Sequence, residues 1–429
     1  MGALRWTWAL ALAAAAPASL PPRLMHPGDT MSMGALRLPD ALGDLLGAYA
    51  GAQWYYFVGH LASRADPDVL FSVEFQILRV RELAGLPPVT FSLIGVGDER
   101  DGSTYHYALE AGGAALDAPT WDRFGVASHD LDGQACINYT YVGGPGVGLA
   151  GSSYALTARA TATTKPGGGK AAVAASLELA DARGTMLEGA SGALLNTYEF
   201  SQPRLDVAGG VLKIGDETIA VGGGSLWNDM QTIFTAFNGT LPRRFGAALP
   251  PTYQWLSLTL DDGACLELSS LWHVHENQWR SGNKSGRPAR TGFGVFYRPR
   301  KADAYAYAGG GYPVAPLHDC APGDDAPPDC PYPEGVPWDF SVDVFDGAHW
   351  TSPDTNRTYA TALEVSFGAR LAADVGHDAL YVYQIVDNGE AVLSTSTESV
   401  AAARVFDRPR GEPGAALVGA AVVEQYGYN

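Results

Sequence analysis

An all-β fold in two consecutive domains is what this sequence predicts, on three observations. Runs rich in aromatic and β-branched residues, suited to a pleated and half-buried surface, succeed one another with no helical pattern between them. The 52 glycines and 28 prolines punctuate those runs as turns. At 429 residues the chain exceeds a single ordinary core, which stops growing at about 250–300 residues. Regularly spaced strands without helical crossovers make sandwiches or barrels, not βαβ units. Apolar residues at 46% against 17% charged exclude a disordered chain.

Residues 1–20 have the form of a secretory signal peptide: Arg5 precedes an apolar run too short to span a bilayer, and small residues surround Ala16-Pro17-Ala18-Ser19. The expected location is the secretory pathway or the cell exterior, or a plastid reached by a bipartite signal if the source is an alga. Leu38–Tyr49 reads as a short helix with Asp40 at its N-cap. The first domain is placed at residues 50–215, with strands at 53–61, 70–80, 89–96, 104–110, 136–143, 153–164, 171–180, 195–200 and 211–214. Its opening pair, Gln53-Trp-Tyr-Tyr-Phe57 and Phe71-Ser-Val-Glu-Phe75-Gln-Ile77, sets an aromatic strand beside an alternating one, an antiparallel hairpin. Lys165-Pro-Gly-Gly-Gly-Lys170 is a hairpin turn between two partly alternating runs.

Tyr198–Gly224 reads as the crossing between halves. The second domain is placed at residues 216–429, with strands at 217–221, 225–234, 253–260, 264–274, 292–298, 339–345, 360–368, 380–387, 390–396 and 416–424. Asp261-Asp262-Gly263 is a tight turn with both acids exposed. Trp54-Tyr55-Tyr56 has a weak echo in Tyr381-Val382-Tyr383.

The net charge of −18 argues against nucleic acid and against attachment to anionic membranes, and no run is long and apolar enough for membrane insertion. No CxxC or HxxxH spacing occurs, so no metal is expected. Cys320 and Cys330 bracket a Pro/Asp-rich loop that a disulfide would restrain; pairing of Cys136 with Cys265 stays open. Sequons for N-glycosylation stand at Asn138, Asn238, Asn283 and Asn356. Gly143–Gly148 lacks a following helix and is a loop, not a phosphate cradle.

Five segments resemble, in order, the carotenoid 1,2-hydratase/AttH-like family, which also includes relatives of fungal Diels-Alderases. They are Gln53-Trp-Tyr-Tyr-Phe-Val-Gly-His60-Leu61; Tyr198-Glu-Phe-Ser-Gln-Pro203-Arg204-Leu205; Gly222-Gly-Gly-Ser-Leu-Trp227-Asn228-Asp229-Met230-Gln231; Trp255-Leu-Ser-Leu-Thr-Leu-Asp261-Asp262-Gly263; and Gly419 through Glu424 to Gly427-Tyr428. The resemblance implies two lipocalin-like antiparallel β-barrels packed together. It also implies chemistry on a greasy, unsaturated substrate: a carboxylic acid protonates an alkene, aromatic residues shelter the cation and polar neighbours deliver water. Two departures bear on that. The family's signature histidine after Asp229 is Met230 here, and methionine carries no proton. Gln53 stands where many relatives have an acid.

Asp229 is the candidate acid, since burial among Trp227, Met230 and Phe234 would keep a carboxyl protonated; a strand-end Asp bonded to backbone is the alternative. His273 and His275 share a face of one strand and are candidate proton carriers in place of the missing histidine, or strand-end residues in solvent. Trp54, Tyr56, His60, Trp227, Met230, Tyr253, Trp255 and Trp272 are the candidate substrate contacts, with core packing as the alternative for each aromatic. The expected activity is that of a cofactor-independent enzyme that hydrates or isomerises a C=C bond in a hydrophobic small molecule such as a carotenoid, terpenoid or polyketide. A pericyclase that folds a polyene by shape, and a secreted lipid or pigment carrier, are the alternatives. The oligomeric state stays open.

Overall fold

The computed structural model describes residues 50–426 apart from 81–88, 113, 117–121, 131–134, 166, 192–196, 235–251, 273–289, 298–311, 315–339, 353–355, 357, 387–389 and 394–395. The signal segment, the 38–49 helix, His273, His275, Cys320, Cys330, Asn238 and Asn283 lie outside the described residues. Two compact units result, the first running to Thr240 and the second taking most of the chain beyond it.

The first unit has twelve strands: β1 (Ala50–Ser63), β2 (Leu70–Val80), β3 (Val89–Asp98), β4 (Thr104–Gly112), β5 (Ala114–Leu116), β6 (Gly125–His129), β7 (Ala135–Gly143), β8 (Ser153–Lys165), β9 (Lys170–Asp181), β10 (Met186–Ser191), β11 (Thr197–Ile214) and β12 (Glu217–Phe234). Eight of them close a ring in the order β12-β1-β2-β3-β4-β8-β9-β11, and β11 pairs β12 again. Every pairing is antiparallel. β7, β6 and β5 extend the sheet from β8, and β10 from β11.

Alternation sorts each strand between the two faces. Tyr55, Phe57 and Leu61 of β1, Phe71, Val73, Phe75 and Ile77 of β2, and Leu226 and Met230 of β12 form the barrel core. The core is filled by side chains: Phe57 lies 4.6 Å from Tyr139 between ring centroids, and Tyr139 stacks on Tyr154 at 4.9 Å. A polar knot sits inside it. Gln202 Oε1 accepts from Tyr139 Oη at 2.9 Å and from Asn228 Nδ2 at 2.8 Å, while Gln202 Nε2 donates to Asp181 at 2.7 Å.

The Tyr198–Gly224 segment is not a crossing between halves. It forms most of two long paired strands, β11 and β12, each of which the sequence reading splits in two. Bulges near Gln202/Leu205 and Val207/Gly209 bend β11 where Pro203 and the glycine pair sit. β12, assigned by sequence to the second half, is a wall of the first barrel between β1 and β11. Gly224 lets β12 lie close against β1: its φ is +125°, and a β-carbon there would lie 2.2 Å from the His60 carbonyl oxygen.

The second unit contains β13 (Thr252–Leu260), β14 (Cys265–Trp272), β15 (Arg290–Tyr297), β16 (Tyr312–Val314), β17 (Phe340–Val344), β18 (His349–Thr351), β19 (Thr358–Ala360), β20 (Ala362–Phe367), β21 (Ala379–Gln384), β22 (Glu390–Leu393), β23 (Ser396–Phe406) and β24 (Leu417–Tyr426). Its main sheet is a curled half-barrel in the order β16-β15-β14-β13-β24-β23-β21-β20-β17, with β22 beside β23. Leu256, Leu258, Leu266, Leu268, Val365, Val382, Val405 and Val423 fill its core. A short helix, α1 (Ala369–Val375), buries Leu371 and Val375 against that core and ends at left-handed Gly376. Gln425 pins the β18–β19 hairpin to the sheet by bonding both the N–H and the C=O of Ala360. Asp261 and Asp262 are exposed at the β13–β14 turn, as the sequence predicts.

Both units are built alike at one point. The first strand of each pairs with its last, β1 with β12 and β13 with β24, and each first strand carries Gln-Trp: Gln53-Trp54 and Gln254-Trp255.

Candidate active site

The outer face of the first barrel is where chemistry collects. A closed barrel ordinarily turns that face to water, and polar residues alternating along a strand signal it. Along β12, β1 and β2 the outer face is instead buried: Trp227 is 3% exposed, Asp229 7%, Tyr56 5%, Val58 0% and Glu74 4%.

Register aligns these side chains in two adjacent rows. One runs Ser201–Asp229–Tyr56–Gln76–Leu93 across β11, β12, β1, β2 and β3. The next runs Trp227–Val58–Glu74–Gly95–His106 across β12, β1, β2, β3 and β4. Trp54 and His60, both half-buried, lie on the same face at either end of β1. Directly opposed residues on one face of a sheet touch, so Asp229 has Tyr56 on one side and Ser201 on the other.

Hydrogen bonds tie the first row to the second. Trp227 Nε1 donates to Ser201 Oγ at 2.9 Å, and Ser201 Oγ lies 3.4 Å from Asp229 Oδ1. The serine accepts from the indole, so its own proton is aimed at the carboxyl. Gln76 Nε2 holds Glu74 Oε1 at 2.7 Å. The other Glu74 oxygen leans over Gly95, where a β-carbon would meet it at 3.2 Å and His106 Nδ1 at 3.7 Å. A residue larger than glycine at 95 would stand between the acid and the imidazole.

Met230 points the other way. It lies in the barrel core opposite Tyr55 and Phe200, away from Asp229. Methionine at this position therefore fills core and takes no proton carrier away from the Asp229 face. Gln53 is likewise off that face, beside Arg79, whose Nη1 donates to it at 3.3 Å.

In the second unit Trp255 is 5% exposed, on the sheet face away from its core, with Ser257, Glu267 and Glu424 buried around it. Tyr253 and Trp272 are placed in β13 and β14. Cys136 and Cys265 are both buried free thiols. Asn138 is half-buried within β7, paired on both sides, and Asn356 is exposed in the β18–β19 turn. Among the described residues no cluster of His, Cys, Asp and Glu is arranged to hold a metal.

Glu74, Gln76, Ser201 and His106 escape the sequence reading. Ser72, Glu74 and Gln76 alternate with Phe71, Val73, Phe75 and Ile77, which is the signature of a solvated outer face. The available signal was on the neighbouring strand: β1 is aromatic on both faces, so its outer face is not a wet one.

No family model matches the sequence, and no curated protein does. Solved structures share its fold. One assigned as AttH, from Nitrosomonas europaea, is 16% identical with a TM-score of 0.56, over 94% of this chain and 100% of its own. The chain thus has the AttH-like fold to which its five motifs point. Kievitone hydratase from Nectria haematococca (12% identical, TM-score 0.44, 90% of each chain) and CghA (11%, 0.43, 87% of this chain and 88% of its own) are more distant.

Proposed function

We propose that the protein is a cofactor-independent enzyme that hydrates or isomerises a C=C bond of a hydrophobic small molecule, with Asp229 as the proton donor. The observation that carries this is the Asp229 carboxyl, buried between Tyr56 and Ser201 on a sheet face shared with Trp54 and Trp227. A carboxyl so enclosed is held away from bulk water, which favours delivery of its proton to a bound alkene. The π faces of the two tryptophans and Tyr56 stabilise the carbocation that forms. Ser201, bonded to Trp227, orients the acid. The products are an alcohol if water captures the cation and a shifted alkene if a neighbouring carbon loses a proton; either way one proton returns to the Asp229 carboxylate and restores the acid. Isoprenoid and polyketide polyenes are the substrate class that suits such a face, and His273 with His275 remain proposed proton carriers.

Incubation of the purified protein with a lipid extract of its source organism, followed by mass spectrometry, tests it. A gain of water or an isomer shift that Asp229→Asn abolishes supports the proposal. An unchanged product profile in that variant removes Asp229 from the mechanism. Co-purification of a lipid that is never altered makes the protein a carrier.

A further inference from the structure

The first barrel changes partners along β8. On one edge β8 pairs continuously with β9 from Ser153 to Thr163. On the other edge β7 leaves at Ile137↔Ala158 and β4 joins only at His106↔Thr163. Residues 159–162 of β8 therefore lie between two ladders, and the wall parts there. A cavity of about 650 Å³ opens at this parting, bordered by Cys136 at the end of β7 and His106 of β4.

Its lining has two characters. Lys213 of β11 and Arg159 of β8 both pair with Ala174 of β9, so the two cations flank an alanine about two strand spacings, or roughly 10 Å, apart. Lys170 adds a third, its Nζ donating to Thr163 Oγ1 at 3.2 Å. All three are exposed, and they converge on one cavity in a chain whose net charge is −18. Among the described residues Asp130 is the acid that lines it with them. The floor beside the cations is small and apolar: Ala174 between them and Ala172 next to it, with Ala160 and Val173, a pair on the core side, reaching the cavity from the barrel.

We propose that this parting is a binding site for a small organic anion, an acid group on a compact apolar body. The acid group pairs with Arg159 and Lys213, and the apolar body lies over the alanines towards Val173. Arginine supplies a fork that matches a carboxylate, and the lysines supply mobile point charges around it. The alanines matter as much as the cations, since larger side chains at 172 and 174 would fill the space between them. The cavity shares only His106 with the rows of the Asp229 face, and the proposal stands whether or not that face is catalytic.

Titration calorimetry of the full-length protein with sodium octanoate at low salt tests the proposal, with 1-octanol and inorganic phosphate as comparison ligands. Octanoate is expected to bind at one saturable site, more tightly than either comparison ligand. Arg159→Ala with Lys213→Ala is expected to weaken it about tenfold or more. Ala172→Leu, an exposed change that keeps every charge, is expected to weaken it also. Circular dichroism confirms that the variants fold. The proposal is overturned if octanoate does not bind, if it binds the double variant as it binds the wild type, or if octanol or phosphate binds as well.

Discussion

Replacing Asp181 by asparagine takes an ionisable group out of the polar knot inside the first barrel. Asp181 is 1% exposed. Its Oδ1 accepts from the N–H groups of Arg183 and Gly184, and its Oδ2 from Gln202 Nε2. These bonds favour the carboxylate, yet burial outweighs them and pushes the pKa from 3.8 up to about 6. The folded protein thus binds this proton more tightly than the unfolded chain does. Folding takes up a proton between about pH 4 and pH 6, so the contribution of this group to stability falls as pH rises through that window. Above it the cost levels off at about 3 kcal/mol, from a shift of about two pKa units at 1.36 kcal/mol each. Asparagine removes the penalty and keeps the bonds if the amides turn over. The new amide oxygen then accepts from the two backbone N–H groups, the new amide nitrogen donates to Gln202 Oε1, and Gln202 Nε2 donates to Asn228 Oδ1 and to Tyr139 Oη, which accepts where it donated before. The Asn228 oxygen has no hydrogen-bond partner in the wild type. Urea unfolding followed by near-ultraviolet circular dichroism, which senses the Tyr139–Tyr154 stack, reads the effect at about pH 4.5 and about pH 7.5. Between those pH values the wild type is expected to lose about 2 kcal/mol relative to Asp181→Asn, the remainder of the shift being already lost below about pH 4.5. Parallel pH dependences in the two proteins would show that Asp181 does not take up a proton on folding.

Three further outcomes are expected of the same structure. Gly224→Ala drives a β-carbon to within 2.2 Å of the His60 carbonyl oxygen at a positive φ, so it is expected to destabilise the first barrel by about 2–4 kcal/mol in urea unfolding; a loss below about 1 kcal/mol would contradict the close approach. Arg100 bonds the buried Asp98 and also Glu217, so Arg100→Ala is expected to cost about 1–2 kcal/mol, since both arginine contacts are partly exposed; a variant as stable as the wild type would show that the network contributes nothing. Thiol titration in denaturant is expected to count two cysteines, Cys136 and Cys265, if Cys320 and Cys330 are joined as their loop suggests; a count of four would exclude that bridge.

Much of the architecture was legible in the chain. The strands at 70–80, 89–96, 153–164 and 171–180 were readable because alternation and glycine turns agree there. β5, β10, β16 and β18 were not, being short and poor in β-branched residues. β11 and β12 were each cut in two because Pro203 and the runs Gly209-Gly210 and Gly222–Gly224 look like turns. In the barrel they are bulges and close approaches that let long strands bend. α1 is a single buried pair of turns set by Leu371 and Val375, too short for a periodic signal. At the site, Trp54, Tyr56, Trp227 and Asp229 could be placed on one face because alternation along a strand fixes it. Burial of that face could not be read, since the outer side of a barrel is usually wet, and Glu74 and Ser201 were missed with it. Met230 drew notice as a departure from a motif, but its consequence depends on which face it takes. Parity along β12 puts it in the core.

Delivery of a proton from Asp229 to a carbon of the substrate is read by running the reaction in deuterated water. Hydration and isomerisation through Asp229 both place one non-exchangeable deuterium on carbon in the product, and Asp229→Asn is expected to form neither product. A product formed by wild-type protein without deuterium on carbon would contradict the account and leave cyclisation by shape as the activity of this face.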